Sequence, residues 1–346
     1  MFYFCTYFDS NYFIKGLALY RSLVRHATPF HLWVLCCDDW TYEILQELAL
    51  PEVHPISLRD FEDGDKELLR AKGNRSQIEY YFTCTPSLLL YILRNHSEVD
   101  VITYLDADLF FFSSPSPIYE ELGDNSILII GHRFPPHLRH REVYGIYNVG
   151  FLSFRRNDEG LRCLHWWRDR CLEWCYDRVE NGRFADQKYL DDWPIRFPRV
   201  VVLQHKGAGL APWNVAGYSI RECNGSVLVD SDPLVFYHFH NLKMITRFLF
   251  DPDLGNYGAQ FNDTLRRRIY GPYLRELRSL MRQKASVGNP RGSRSCSHGD
   301  LVRLVLYGRT LLVIGPITAE VHLESTARPL LHLRRLALRR FRCETD

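Results

Sequence analysis

The stretch Val101-Ile-Thr-Tyr-Leu-Asp-Ala-Asp-Leu-Phe-Phe-Phe112 decides the reading of this chain. Five residues with the composition of a buried strand lead to Asp106, and the second apolar run, after Asp108, gives way to Ser-Ser-Pro-Ser-Pro. Burying an unpaired carboxylate costs several kcal/mol, so acids at a strand end call for a cation or a polar ligand. Hard oxygen donors suit Mg²⁺ or Mn²⁺, and such an ion can in turn hold a diphosphate. The competing reading is a capping or loop pair, which the preceding strand disfavours.

Outward from this point the pattern is α/β. Residues 2–6 and 30–37 read as strands, and 13–24 and 42–50 as helices, an alternation that indicates a largely parallel sheet. A helix over 86–94 delivers the chain into the 101 strand, and 127–131, 150–154, 200–203 and 234–239 read as further strands. Residues 158–179 give a strong helical pattern, with Leu161, Leu164, Arg168, Cys171, Leu172 and Cys175 on one face.

The 346 residues, 46% hydrophobic and 14% aromatic, suffice for a substantial core. The net charge of +2 is unevenly spread. Residues 282–346 hold 12 Lys/Arg against 5 Asp/Glu, a net of +7, which leaves −5 for the remainder. The body therefore lacks the basic character of a nucleic-acid binder. Ten cysteines occur without a C-x-x-C pair, so buried free thiols in a reducing compartment are expected rather than a zinc site. The opening Met1-Phe-Tyr-Phe-Cys-Thr-Tyr has no basic leader, and no run of about 18 apolar residues occurs, so the expectation is a cytoplasmic protein without signal peptide or membrane span.

The composition shifts after Lys284. The expected organisation is a main domain over 1–284, a Gly/Ser/Arg-rich linker over 285–300 and a basic tail over 301–346. The Leu/Arg pattern of 330–342 fits an amphipathic basic helix, for which contact with the inner face of a membrane is one reading. A loosely ordered tail is the other.

Five local motifs carry a resemblance. Thr6-Tyr-Phe-Asp-Ser-Asn-Tyr12, Tyr104-Leu-Asp-Ala-Asp108, Tyr147-Asn-Val-Gly-Phe151, Phe184-Ala-Asp-Gln-Lys188 and Tyr237-His-Phe-His-Asn-Leu-Lys243 follow one another in order. With these, residues 1–280 resemble the GT-A nucleotide-diphospho-sugar transferases, particularly the retaining family 8 enzymes. The resemblance implies a Rossmann-like GT-A fold with a central mixed, mainly parallel sheet. It implies sugar transfer from a nucleotide-sugar, UDP-linked, to an acceptor hydroxyl on a glycan, glycolipid or protein. It also implies a manganese or magnesium ion on Asp106, Asp108 and His238, with His240 the alternative histidine.

By the same resemblance Thr6, Tyr7, Asp9 and Tyr12 hold the uracil and ribose, and Ala107, Asn148, Gly150 and Lys243 contact the donor. Asp186 and Gln187 lie beside the anomeric carbon, where they stabilise oxocarbenium-like charge or bind hydroxyls. The chain also departs from the family. Lys243 follows His238 by five residues where the family has six, and Asn241 replaces a glycine. The segment Tyr80-Tyr-Phe-Thr-Cys-Thr-Pro86 lacks the family arginine, so Arg75 or Lys72 is expected to supply the positive charge, or Thr83 and Thr85 a hydroxyl. Trp213, in Gly207-Ala-Gly-Leu-Ala-Pro-Trp-Asn214, reads either as a platform for an acceptor sugar or as a packing anchor.

Two rival functions are weighed. A haloacid-dehalogenase-like phosphatase would use the first aspartate as nucleophile, but it needs a small hydroxyl residue where Phe110 stands. A catalytically inactive nucleotide- or carbohydrate-binding protein on the same fold is the other.

Overall fold

Strand and helix alternate from the first residues of the computed structural model, which describes residues 1–246, 249–286, 310–313 and 319–322. The chain divides into two units, Met1–Phe239 and His240–Asp346. In the first, β1 (Phe2–Phe8) leads to α1 (Phe13–His26), β2 (Phe30–Cys36), α2 (Asp39–Leu48) and β3 (Val53–Ser57). Two short helices, α3 (Leu58–Glu62) and α4 (Lys66–Lys72), precede the long α5 (Gln77–Asn95). Next come β4 (Val101–Leu105), β5 (Leu109–Phe111), α6 (Ser116–Leu122), β6 (Ile127–Gly131), β7 (Tyr147–Arg155) and α7 (Asp158–Glu173). The unit ends with α8 (Trp193–Arg196), β8 (Val200–Val202), β9 (Ala208–Leu210), β10 (Ile220–Cys223), β11 (Ser226–Val229), β12 (Asp232–Pro233) and β13 (Phe236–His238).

Seven strands form the central sheet in the order β3-β2-β1-β4-β7-β6-β8. Six run one way, and β7 runs antiparallel to both its neighbours. The expected mixed, mainly parallel sheet is therefore present. Helices cover both faces, so alternate side chains of each strand enter one of two cores. Cys5, Trp33, Ile102, Ile129 and Leu152 pack with Leu88, Leu89 and Ile92 of α5 and with Leu164 and Trp167 of α7. Phe4, Val34, Leu105, Leu128 and Phe151 pack on the other side with Leu19 and Leu23 of α1 and Ile118 of α6. Each such fully buried side chain contributes about 1.5–3 kcal/mol.

Helix boundaries follow local chemistry. At α5 the Ser76 side chain accepts from the Glu79 amide while Glu79 reaches back to the Ser76 amide, a reciprocal cap that satisfies two orphan donors. The helix thus begins nine residues before the expected start at 86, and Pro86 lies inside it. At α7 Asn157 accepts from the Gly160 amide, and the helix ends at Glu173, short of the expected 179. The Arg75 guanidinium accounts for that end: it donates to the carbonyls of Leu172 (3.2 Å) and Cys171 (3.4 Å) and to Tyr176 Oη (2.7 Å). Arg168, the charged residue on the otherwise apolar stripe of α7, pairs with Asp65 at 2.7 Å.

In the second unit β14 (Lys243–Thr246) pairs with β15 (Leu249–Asp251), and β16 (Thr310–Val313) pairs with both β15 and β17 (Ala319–His322), all antiparallel. A π-type turn, Leu265–Tyr270, runs into α9 (Gly271–Ser286), which buries Tyr273, Leu274, Leu277 and Leu280. The expected basic helix at 330–342 and most of the expected linker and tail lie outside the described residues. Among the described residues the cysteines are free and all but Cys223 are buried, and no helix is long and apolar enough to cross a membrane.

Candidate active site

At the carboxyl end of β4 the chain turns through Asp106-Ala107-Asp108 into β5. That turn is held by the Asp106 amide donating to the Gly150 carbonyl at 2.9 Å and the Leu109 amide donating to the Asp106 carbonyl at 3.1 Å. A second small sheet, β5-β13-β9, brings in the histidine. Antiparallel register sets His238 opposite Leu109, and the Phe239 amide donates to the Asp108 carbonyl at 3.0 Å. His238 Nε2 consequently lies 3.0 Å from Asp108 Oδ1 and 3.5 Å from Asp106 Oδ2. The ligand atoms of all three residues fall within 4.8 Å of one another.

Asp108 and His238 are buried, and the Asp106 side chain is 31% exposed, which leaves the cluster open on one side. Tyr104 donates its hydroxyl to Asp106 Oδ1 at 2.8 Å. Burial raises the Asp106 pKa; His238 opposes that shift and Asp108 adds to it. Burial disfavours a charged His238 ring, but the two aspartates outweigh it and hold its pKa above the ordinary value. Two carboxylates and an imidazole form a donor set that suits Mn²⁺. Gly150 keeps the space clear: a Cβ there would stand 2.6 Å from Asn148 Oδ1, 2.9 Å from His238 Cε1 and 3.0 Å from Asp106 Oδ2. The residues present fit such an ion.

The other expected positions distribute as follows. Asn148 accepts from the Gly150 amide at 2.9 Å and donates to Gln187 Oε1 at 3.3 Å, while Gln187 Nε2 donates to the Tyr144 carbonyl at 3.0 Å. Asp186 is 4% exposed; burial, opposed by the Thr85 hydroxyl and reinforced by the charge of Asp106, pushes its pKa up to about 7. The Tyr7 ring lies 5.6 Å from that of Tyr104, and its hydroxyl pKa is raised by burial and then by Asp186 and Asp106. Tyr7 thus stands in the field of both carboxylates. Tyr12 is exposed, and the charge of Asp108, followed by burial of its hydroxyl, raises its pKa. Asp9 accepts from the amides of Asn11 and Tyr12 and shapes the turn into α1. Thr6 is wholly buried and its hydroxyl has no partner. Lys243 belongs to β14 of the second unit and is exposed.

The two expected sources of positive charge make contacts of their own: Arg75 donates to carbonyls at the end of α7, and Lys72 pairs with Glu62 at 2.7 Å. Beside the aspartates stands Lys15 of α1, whose Nζ lies 3.5 Å from Asp108 Oδ2 and 4.3 Å from the centre of the Tyr12 ring. Its only sequence signal is its place in the first turn after the Thr6–Tyr12 segment. Trp213 resolves as a packing anchor. It is 5% exposed, donates Nε1 to the His132 carbonyl at 3.0 Å and meets the His238 ring edge-on at 5.1 Å. His132, also absent from the sequence reading, approaches Asn148 Nδ2 at 3.3 Å. A shallow cavity beside these groups is lined by Ile130, Gly131, Asn148, Gly209, Trp213 and His238.

Fold and site together define an α/β protein with two carboxylates and an imidazole gathered at the carboxyl end of its sheet, the arrangement that the GT-A resemblance implies. No protein-family profile matches the chain. It is 32% identical over 280 residues to the uncharacterized protein YfnD of Bacillus subtilis (strain 168), covering 80% of this chain and 89% of that one. To the uncharacterized protein YfnF of the same organism it is 34% identical over 251 residues, covering 70% and 82%. The chain belongs to the family of YfnD and YfnF. Its structure aligns with the galactosyltransferase LgtC in complex with donor and acceptor sugar analogues at TM-score 0.48 and 16% identity, over 77% of this chain and 100% of that one. Mouse xyloside xylosyltransferase 1 aligns at TM-score 0.44 and 15% identity, over 69% and 98%.

Proposed function

We propose that the chain is a glycosyltransferase that moves a sugar from a UDP-linked donor to the hydroxyl of a glycan, glycolipid or protein acceptor, with retention of configuration. The observation that carries this reading is the convergence of Asp106, Asp108 and His238 beside a glycine whose missing Cβ leaves room for a bound ion. The Mn²⁺ or Mg²⁺ ion these residues would hold supplies Lewis-acid stabilisation of a departing diphosphate.

The chain's own residues supply the remainder. Tyr104 fixes one oxygen of Asp106, and His238 is backed edge-on by Trp213, so both ligands are oriented in advance. Lys15 adds a positive charge beside Asp108 that would favour a bound diphosphate. Asn148 and Gln187, linked to each other, offer amides to sugar hydroxyls. Asp186, protonated below about pH 7, can donate as well as accept a hydrogen bond, and once ionised it offers a negative charge to an oxocarbenium-like centre.

The test is release of UDP from a panel of UDP-sugars with Mn²⁺ and mixed acceptors. Turnover that requires the divalent ion and disappears in Asp108→Ala is the expected result. Tight UDP binding without turnover on any acceptor would instead indicate a binding protein. Phosphate release from simple phosphomonoesters would indicate a phosphatase.

A further inference from the structure

The amino ends of the strands, at the far end of the sheet from Asp106, carry a second convergent cluster. His31 is the second residue of β2, His54 the second of β3, and Glu52 immediately precedes β3. Parallel pairing sets Tyr3 opposite His31 and Trp33 opposite His54. Both imidazoles therefore lie on one face at the edge of the sheet.

His31 Nδ1 is 3.0 Å from His54 Nε2 and 3.0 Å from Glu52 Oε2, and the three ligand atoms lie within 4.8 Å of one another. A hydrogen bond between the two imidazoles serves only one of the two contacts at His31 Nδ1. One imidazole nitrogen carries at most one proton, which can point along only one of the two contacts. If His31 Nδ1 instead accepts a proton from His54, its lone pair faces the carboxylate. A cation at the point of convergence satisfies all three groups at once. Donors bound to one ion at about 2.1 Å stand roughly 3.0–3.4 Å apart, the separation that His31 Nδ1 has from each of its two neighbours.

The backbone holds Glu52 in place beside the two rings. Glu52 has φ of 62°, a left-handed conformation that costs a residue with a Cβ about 1 kcal/mol, and its carbonyl is pinned by the Leu32 amide at 2.8 Å. The rings are held as well: Tyr3 stacks on His31 at 5.8 Å and 9°, and Trp33 lies 5.2 Å from His54. His96 pairs with Glu98 at 3.2 Å beyond Trp33 and is not one of the converging ligands.

We propose that His31, His54 and Glu52 form a second metal site, which takes a divalent transition ion of the zinc class. Two imidazoles and one carboxylate are softer than the two carboxylates and one imidazole at Asp106, so the two sites select different ions. The bound ion clamps the edge strand β3 to β2.

The test uses the full chain stripped with chelator, then dialysed against Zn²⁺ in a large excess of Mg²⁺ that competes for the Asp106 site. Bound zinc is measured by elemental analysis and thermal midpoints are recorded with and without zinc. The expected result is one zinc equivalent retained by the native chain and by His238→Gln but lost in His31→Gln and in His54→Gln. Zinc should raise the midpoint of the first two proteins only, while the metal-free midpoints of all four confirm that they are folded. Retention of that equivalent by folded His31→Gln or His54→Gln would overturn the proposal, as would a native chain that holds no zinc under magnesium excess.

Discussion

Asp106 and Gly150 are locked together across β4 and β7: the Asp106 amide donates to the Gly150 carbonyl at 2.9 Å, and a Cβ on Gly150 would stand 3.0 Å from Asp106 Oδ2. One methyl group there is enough to displace a carboxylate, an amide and an imidazole together. Gly150→Ala is expected to cost about 1–3 kcal/mol of stability through overpacking. The larger effect falls on the site, where UDP-sugar turnover should drop roughly 100-fold or more, as misplaced catalytic groups do. Thermal melts and UDP-release assays on the same preparation check both. Turnover within twofold of the native chain would mean that the three groups need not be held so closely.

Lys15 places a cation beside Asp108, where the expectation had been Arg75. Its pairing with Asp108 is long at 3.5 Å but mostly buried, the two side chains being 17% and 8% exposed. Lys15→Met is expected to lower the thermal midpoint, because it leaves a buried carboxylate with one partner fewer, and to weaken UDP binding about tenfold, equivalent to about 1.4 kcal/mol. Calorimetric titration of UDP in the presence of Mn²⁺ measures the change. An unaltered UDP affinity would assign Lys15 to Asp108 alone.

Asp186 predicts a pH signature. Its carboxyl, ordinarily near 3.8, is pushed up to about 7 in the fold, so between these values the folded chain holds a proton that the unfolded chain has released. Stability therefore falls as pH rises through that window, and above it the full penalty, on the order of 4 kcal/mol, is present. Asp186→Asn removes the penalty. In metal-free buffer its thermal midpoint should exceed the native one at pH 8 and approach it at pH 4. A constant difference at both pH values would rule out this carboxyl as the source.

Arg75 is expected to act on stability alone. Its guanidinium closes the carbonyl end of α7 and lies 4.1 Å from the centre of the Tyr176 ring. Arg75→Ala should destabilise the fold by about 2 kcal/mol through carbonyls left without a donor, while the KM for the nucleotide-sugar stays the same. Denaturant unfolding and steady-state kinetics separate the two effects, and a raised KM with an unchanged unfolding midpoint would return Arg75 to the donor site.

The signals differed in range, and so did what each could disclose. Asp106 and Asp108 are legible because an apolar strand immediately precedes them. His238 lies 130 positions further on, and only the order of the motifs selects it; the physical cause, its register against Leu109, is a tertiary fact. Lys15 looks like any polar position of an amphipathic helix until α1 is packed beside the Asp106–Asp108 turn. The start of α5 was written locally in Ser76 and Glu79, but Pro86 marks a helix start more conspicuously, so the periodic pattern before it is easily overlooked. At α7 the Leu/Cys stripe continues to Cys175 although the helix ends at Glu173. Cys175 is buried all the same, so the apolar pattern there reports burial and not helical winding.

β7 is the one reversed strand of the central sheet, and the reversal alters which connections can vary harmlessly. In an all-parallel sheet every group delivered to the carboxyl edge sits where a strand ends. Here Asn148 and Gly150 reach that edge from near the start of a strand, so the segment bordering them is the one that enters β7, residues 132–146. Val143, Tyr144 and Ile146 of that segment are exposed. Rewriting its exposed positions, with His132 and the Tyr144 carbonyl kept, leaves the hydrogen-bond ladder of β7 and the Asp106–Asp108 turn in place while changing the surface that stands beside them. Relatives with different acceptors are expected to diverge there first.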